Sequence, residues 1–238
     1  MKIIKHISLV VFFYLLIIST GAAQPVTIDF DSNTPGWGGT IIDDEYDQWF
    51  TVSAENPNRS FGGYAIIWDE ETRVDDNDLV SSENDVLILS ERNPASPNYW
   101  PDDEAGSGGS ILFDFVDPIS MFTLNWVDLD EPNRLDDYSI SFLDDQSTVL
   151  DTITFLTLNN LAGGYTLANN SVNFIDPSIA GFDFSANDVD KVRIVFGGSG
   201  GIGSMEFDTV SQVPEPASLI LFGTGLLAAA GRRRFKRN

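Results

Sequence analysis

The sequence predicts an all-β domain, an antiparallel β-sandwich of the jelly-roll type, flanked by an N-terminal signal helix and a C-terminal transmembrane helix. Two observations favour this fold class. From Gln24 onward, short apolar or alternating runs are separated by Gly, Pro, Asn and Asp, and no stretch keeps the helical period. The runs also show no repeat of fixed period, which argues against a propeller or a solenoid. Their number is sufficient for two packed sheets.

The first 23 residues have the three parts of a secretion signal. Lys2 and Lys5 precede an apolar run from Ile7 to Ile18, and small residues follow it at Gly21 and Ala23. The run is too short for an ordinary membrane-spanning helix, so we predict cleavage before Gln24. The alternative is an uncleaved membrane anchor.

The predicted sandwich domain covers residues 24–212, and ten runs within it are predicted strands. They are Val26 to Phe30, Gln48 to Ser53, Tyr64 to Trp68, Val86 to Ser90, Ile111 to Phe115, Met121 to Val127, Tyr138 to Leu143, Thr148 to Leu156, Lys191 to Phe196 and Met205 to Val210.

Alternation within these runs predicts which side chains face the core. Phe122, Leu124 and Trp126 fall on one face of their run, and Val192, Ile194 and Phe196 share a face in the same way. This period of two is typical of half-buried antiparallel strands.

The composition excludes several kinds of active site. The chain has no cysteine, and its one histidine, His6, lies in the predicted signal peptide. The mature domain therefore has no disulfide, no ordinary zinc site, no thiol nucleophile and no Ser-His-Asp triad.

The domain is strongly acidic. Seven of the 13 basic residues and one of the 36 acidic residues lie in the terminal segments, so six basic and 35 acidic residues remain between them, a net charge of −29. Such a domain repels nucleic acid and attracts cations, although solubility alone also explains the charge.

Three acidic clusters follow predicted strands or lie in loops, where their carboxylates could converge at one rim of the sandwich. Oxygen ligands of this kind suit Ca²⁺, so we expect calcium as the cofactor, with solvated loop acids as the alternative. The spacing does not match an EF-hand loop. The candidate ligands are Asp69, Asp76, Asp78, Asp102, Asp103, Asp128 and Asp130.

Carboxylate pairs also permit general acid–base hydrolysis of a glycosidic bond, which makes a secreted glycan-active hydrolase the alternative function. A long proline-rich loop from Asn93 to Gly109 carries Tyr99 and Trp100, whose rings could stack on sugars. These two residues are the candidate carbohydrate-binding residues. The glycine run from Gly197 to Gly203 lacks the Lys of a phosphate-binding loop and is interpreted as a tight turn between the last two strands.

Residues 213–238 form a tail of three parts. Val213, Pro214, Glu215 and Pro216 precede an apolar stretch from Ala217 to Gly231, and a basic cluster begins with Arg232, Arg233 and Arg234. As a helix the apolar stretch would span roughly 22 Å, which is short for a membrane unless the arginines snorkel. The basic end is expected to stay cytoplasmic.

This tail resembles the PEP-CTERM sorting signal of Gram-negative bacteria that make extracellular polysaccharide. The resemblance implies recognition and processing by an exosortase, a transient stay in the inner membrane with the domain facing the periplasm, and a final place at the cell surface or outside the cell. A permanent single-pass anchor is the alternative.

The domain itself resembles, more loosely, secreted bacterial β-sandwiches akin to galactose-binding-like modules. The resemblance implies a fold rather than a function. The segments that carry it are Ile28 to Asp31, Ile67 to Asp69, Asn77 to Val80, Leu87 to Leu89, Pro101 to Asp103, Gly109 to Phe115 and Gly198 to Ile202. Taken together, the sequence predicts an exported, non-catalytic, calcium-stabilised binding or structural module, with extracellular polysaccharide as a candidate partner.

Overall fold

The computed structural model describes residues 25–30, 40–42, 45–57, 63–69, 85–90, 109–129, 134–161 and 173–210. Eleven strands in these ranges join one antiparallel sheet. They are β1 (Val26–Asp29), β2 (Thr40–Ile41), β3 (Phe50–Glu55), β4 (Ala65–Asp69), β5 (Asp85–Leu89), β6 (Gly109–Val127), β7 (Ser139–Leu143), β8 (Val149–Thr154), β9 (Asn173–Ile175), β10 (Val189–Phe196) and β11 (Gly201–Thr209).

The all-β antiparallel prediction is confirmed. The order along the sheet is β2-β4-β5-β11-β6-β10-β7-β8, with β1 beside β11 and both β3 and β9 beside β6. The jelly-roll connectivity stays a prediction. The signal helix and the C-terminal helix lie outside the described residues, and within the described ranges no helix has the length and apolarity to cross a membrane.

Strand β6 organises the sheet because its two halves have different neighbours. Its first half lies between β3 and β10, and its second half lies between β11 and β9. The sequence predicts two strands here, but the structure has one strand of 19 residues. Pro118 falls at the change of partners, where the register with β10 shifts, and a proline is tolerated there because no regular ladder needs its missing N–H.

The sheet curls so that its inner face encloses one apolar core, as the two layers of a β-sandwich do. Aromatic rings pack against one another in this core. The ring centroids of Phe115 in β6 and Phe207 in β11 are 4.9 Å apart, and those of Phe122 in β6 and Phe142 in β7 are 6.4 Å apart. The alternation predicted for the core is confirmed, since Phe122, Leu124 and Trp126, and likewise Val192, Ile194 and Phe196, are buried.

Strands β4 and β5 are apolar on both faces. Ile67 and Leu87 point into the main core, whereas Trp68 and Ile88 belong to a second buried cluster on the opposite face. Their continuous apolar runs are typical of strands that are covered on both sides.

One predicted strand is too long. The run from Thr148 to Leu156 is a strand only as far as Thr154, after which the helix α1 (Phe155–Asn160) begins. The Thr154 hydroxyl caps this helix by accepting a hydrogen bond from the Thr157 N–H at 3.1 Å. Phe155 and Leu158 of this helix are buried. Strands β2 and β9 have two and three residues and are too short to show a period in the sequence.

Candidate functional site

Most of the residues that the sequence singles out lie outside the described residues. This holds for the sorting tail, Val213 to Pro216 with Arg232 to Arg234, and for the candidate sugar platform, Tyr99 and Trp100. It also holds for Asp76, Asp78, Asp102, Asp103 and Asp130 among the candidate calcium ligands. Of that set the structure gives the backbone of Asp69 and the whole of Asp128.

The sheet register separates Asp69 from Asp128. Asp69 pairs with Asp85, while Ile88 pairs with Gly201 and Gly201 pairs with Val127, the residue before Asp128. The two aspartates are therefore four residue steps apart along the strands and three strands apart across the sheet, roughly 13 Å and 14 Å. A single ion is too small to be bound by both, since each Ca–O distance is about 2.4 Å.

Asp128 follows the last residue of β6 and is only 1% exposed. Its backbone has φ of 54°, the left-handed region that Asp tolerates better than most residues. A buried carboxylate requires hydrogen bonds or a positive charge nearby, because removing it from water is costly. Asp128 is the candidate ligand whose side chain the structure describes, and that side chain is buried.

The turn between β10 and β11 packs against Asp128 and the aromatic core. Gly200, with φ of 122°, is so close that a Cβ atom there would lie 2.5 Å from the Asp128 carbonyl oxygen and 2.5 Å from Trp126 Nε1. Tyr138 donates a hydrogen bond from its hydroxyl to the Ser199 carbonyl at 3.1 Å. The sequence predicts a tight turn from Gly197 to Gly203, but Gly201 and Gly203 belong to β11, and residues 197–200 connect two strands that are separated by β6.

No metal centre is complete in the part of the chain that the structure describes. Within it, no three His, Cys, Asp or Glu side chains come close enough to hold an ion. A calcium site at Asp128 would therefore need ligands from outside the described residues.

The structure brings together a group of carboxylates that sequence reasoning missed. Partial burial raises the pKa of Asp190, and the nearby charges of Asp145, Asp188 and Asp114 raise it further, while the Asp145 N–H opposes them by donating a hydrogen bond. These residues come from β6, from the turn between β7 and β8, and from the start of β10. They lie near one another because β10 pairs with β6 on one side and with β7 on the other.

Lys191 partly balances this acidic group. Its Nζ lies 3.2 Å from Asp114 Oδ2 and donates a hydrogen bond to Ser147 Oγ at 3.1 Å. The group is therefore a set of carboxylates that repel one another, beside the Lys191 ammonium. Because the repulsion requires ionised carboxylates, its contribution to stability depends on pH.

Comparison with known proteins decides the nature of the tail. A sequence profile described as the PEP-CTERM protein-sorting motif matches residues 212–234. The chain carries a PEP-CTERM sorting motif. The predicted resemblance of residues 213–238 is thereby confirmed. The motif indicates an exported protein that an exosortase recognises and processes at the membrane.

The other similarities of this chain are to solved structures. None of the curated proteins matches the chain. Among solved structures, the K2 cleaved adhesin domain of Lys-gingipain is similar with a TM-score of 0.38 and 10% identity, over 78% of this chain and 95% of that chain. The enzymatically active domain of bacteriophage CBA120 tailspike protein 4 is similar with a TM-score of 0.27 and 16% identity, over 76% of this chain and 20% of that chain.

Proposed function

We propose that this protein is a surface or extracellular-matrix component of a Gram-negative bacterium, sorted through its tail, and that its β-sandwich binds or supports rather than catalyses. The sorting motif at residues 212–234 is the observation that carries the proposal. Extracellular polysaccharide is the proposed partner, with Tyr99 and Trp100 as the proposed contacts. The absence of Cys, and of any His beyond residue 6, supports a non-catalytic role.

The sorting step is testable by changing the motif in a host that has an exosortase. Replacing Pro214, Glu215 and Pro216 together by alanine should leave the protein in the membrane fraction and lower its amount at the cell surface and in the medium. Asp136→Ala, a change at an exposed turn, should be sorted normally. Surface delivery of the triple variant at the unchanged level would contradict the proposal.

We also propose that Ca²⁺ stabilises the domain through Asp128. Three features support this: the net charge of −29 between the terminal segments, the burial of the Asp128 carboxylate, and a composition that leaves oxygen atoms as the available ligands. Asp130, two residues later, and Asp102 and Asp103 are the proposed further ligands. Because Asp69 lies far from Asp128 in the sheet, it would belong to a different site.

Thermal unfolding with calcium and with a chelator tests this role. Calcium at about 100 times its Kd should add about 2.7 kcal/mol to the free energy of unfolding, which raises Tm by roughly 5 to 10 °C for a domain of this size. Asp128→Asn should abolish the increase, whereas Asp136→Asn should keep it. Equal melting of the unaltered protein in calcium and in chelator would show that the calcium role is wrong.

A further inference from the structure

Strand β8 lies at an edge of the sheet. In the described part of the chain it pairs with β7 on one side and ends the strand order on the other. Its first four residues, Val149 to Thr152, are exposed. An open edge presents backbone N–H and C=O groups that can pair with a strand of another molecule.

The hydrogen-bond pattern shows which groups face this open edge. The Phe155 N–H donates to the Tyr138 carbonyl at 3.0 Å, so these two residues form a hydrogen-bonded pair just beyond the end of β8. Bonded and non-bonded pairs alternate in an antiparallel ladder, so the pair Ser141–Thr152, three steps away, is non-bonded. The backbone N–H and C=O of Thr152 therefore point outward.

The side chains of this pair agree with the assignment. Ser141 Oγ and Thr152 Oγ1 are 2.9 Å apart, and side chains approach most closely in non-bonded pairs. Thr152 is thus the residue near the middle of β8 whose backbone N–H and C=O face the open edge.

The outward N–H of Thr152 is occupied by the preceding side chain. It donates a hydrogen bond to Asp151 Oδ1 at 2.8 Å. On either side of this position the edge is interrupted, by a shift of register at Phe142 and Leu143 and by the start of α1 directly after Thr154. The Asp151 carboxylate therefore occupies the outward N–H near the middle of β8, in a short stretch of open edge.

We propose that Asp151 is an edge guard: its carboxylate occupies the Thr152 N–H and keeps β8 from pairing with β8 of a second copy of this chain. A second copy is the occupant that the strand fits, because Val149 and Leu150 are 52% and 36% exposed and would be covered by an identical strand. In such a pair two Asp151 carboxylates would also be brought near each other and repel.

Replacing the guard by a strand-forming residue tests the proposal. Asp151→Thr removes the carboxylate acceptor and its charge while favouring the strand. In sedimentation velocity of the full chain in mild detergent, this variant should self-associate at least about tenfold more strongly than the unaltered protein, since each pairing gains two hydrogen bonds and loses a repulsion. Asp136→Thr, at an exposed turn position before β7, should behave like the unaltered protein.

Two further variants separate the hydrogen bond from other causes. Asp151→Asn keeps a carbonyl acceptor for the Thr152 N–H and should remain closer to the unaltered protein than Asp151→Thr. Adding Thr152→Pro to Asp151→Thr removes the outward N–H and should restore the original state, because proline is tolerated on an edge where its nitrogen faces solvent.

Circular dichroism confirms that each variant is folded before association is compared. If folded Asp151→Thr sediments as the unaltered protein does, or if Thr152→Pro fails to reverse its association, the guard is overturned. Equal association of Asp151→Asn and Asp151→Thr would overturn the role given to the hydrogen bond.

Discussion

Folding shifts the pKa values of two aspartates, close together in the chain, in opposite directions. Asp183 is exposed, and hydrogen bonds from the Ser185 hydroxyl and N–H, at 2.6 Å and 2.9 Å, lower its pKa. Asp190, seven residues later, has a raised pKa because it is partly buried beside other carboxylates. At neutral pH the ionised Asp183 therefore stabilises the folded state, whereas the ionised Asp190 destabilises it.

Asp190→Asn should increase stability at neutral pH. Because folding raises the pKa of Asp190, the folded state is favoured below its ordinary pKa of about 4 and loses stability as pH rises through the raised value. The neutral amide keeps an acceptor for the Asp145 N–H but removes the repulsion. We expect a gain of a few tenths of a kcal/mol, roughly 1 °C in Tm, that disappears when melting is measured below pH 4.

Asp183→Asn is the matched control of opposite sign. Folding lowers the pKa of Asp183, so its contribution is present above the ordinary pKa and is lost as pH falls through the lowered one. This variant should therefore lower Tm at neutral pH. If Asp190→Asn lowered Tm at neutral pH, as Asp183→Asn should, the assignment of the Asp190 environment would be wrong.

At this scale the sequence predicts core residues well and surface groups poorly. Phe122, Leu124 and Trp126 follow from alternation alone, because a period of two fixes the face of a strand. The carboxylates around Asp190 come from three separate parts of the chain, and no local pattern shows that β10 places them together.

Among the elements, β6 and the turn between β10 and β11 show what a local pattern omits. Two strands are predicted on either side of Pro118, but tertiary pairing makes them one, with β3 and then β11 along one side and β10 and then β9 along the other. Likewise, the glycine run predicts a turn but not its position over Trp126. Both features depend on partners distant in sequence.

Gly200→Ala should destabilise the domain strongly. The new Cβ would lie 2.5 Å from two atoms of β6 and its flanking residue, at a φ of 122° that side chains rarely adopt. Overpacking and backbone strain together should cost about 2 to 5 kcal/mol, measured by chemical denaturation.

Gly181→Ala separates the two causes. Gly181 also has a left-handed backbone, with φ of 87°, but a Cβ there would meet no atom within 4 Å. Its cost should be limited to strain of about 1 to 2 kcal/mol. Equal destabilisation by the two variants would show that the turn does not pack tightly against Trp126 and Asp128.

For the whole molecule, the distribution of charge agrees with a protein that is exported and remains dispersed. Between its terminal segments the chain carries a net charge of −29, which opposes contact with nucleic acid and with other copies of itself. The proposed guard at Asp151 acts in the same direction at one edge of the described sheet, the free side of β8. The net charge and the proposed cover over the Thr152 N–H thus both oppose association.

The fold class and the sorting tail were predictable from the sequence because both depend on local order. Strands appear as alternation, and the sorting motif appears as Val213 to Pro216, an apolar stretch and arginines in succession. The calcium hypothesis depends on which loops meet in space. For the one pair of candidate ligands whose backbones the structure describes, Asp69 and Asp128, it shows separation along the sheet.

Mass spectrometry of both ends of the protein isolated from outside the cell tests the central claim most directly, namely that the chain is exported and sorted by an exosortase. The predicted product begins at Gln24 and lacks the basic cluster from Arg232 onward, because the signal peptide and the sorting tail have been processed. An extracellular protein that still carries Arg232, Arg233 and Arg234 would contradict the claim.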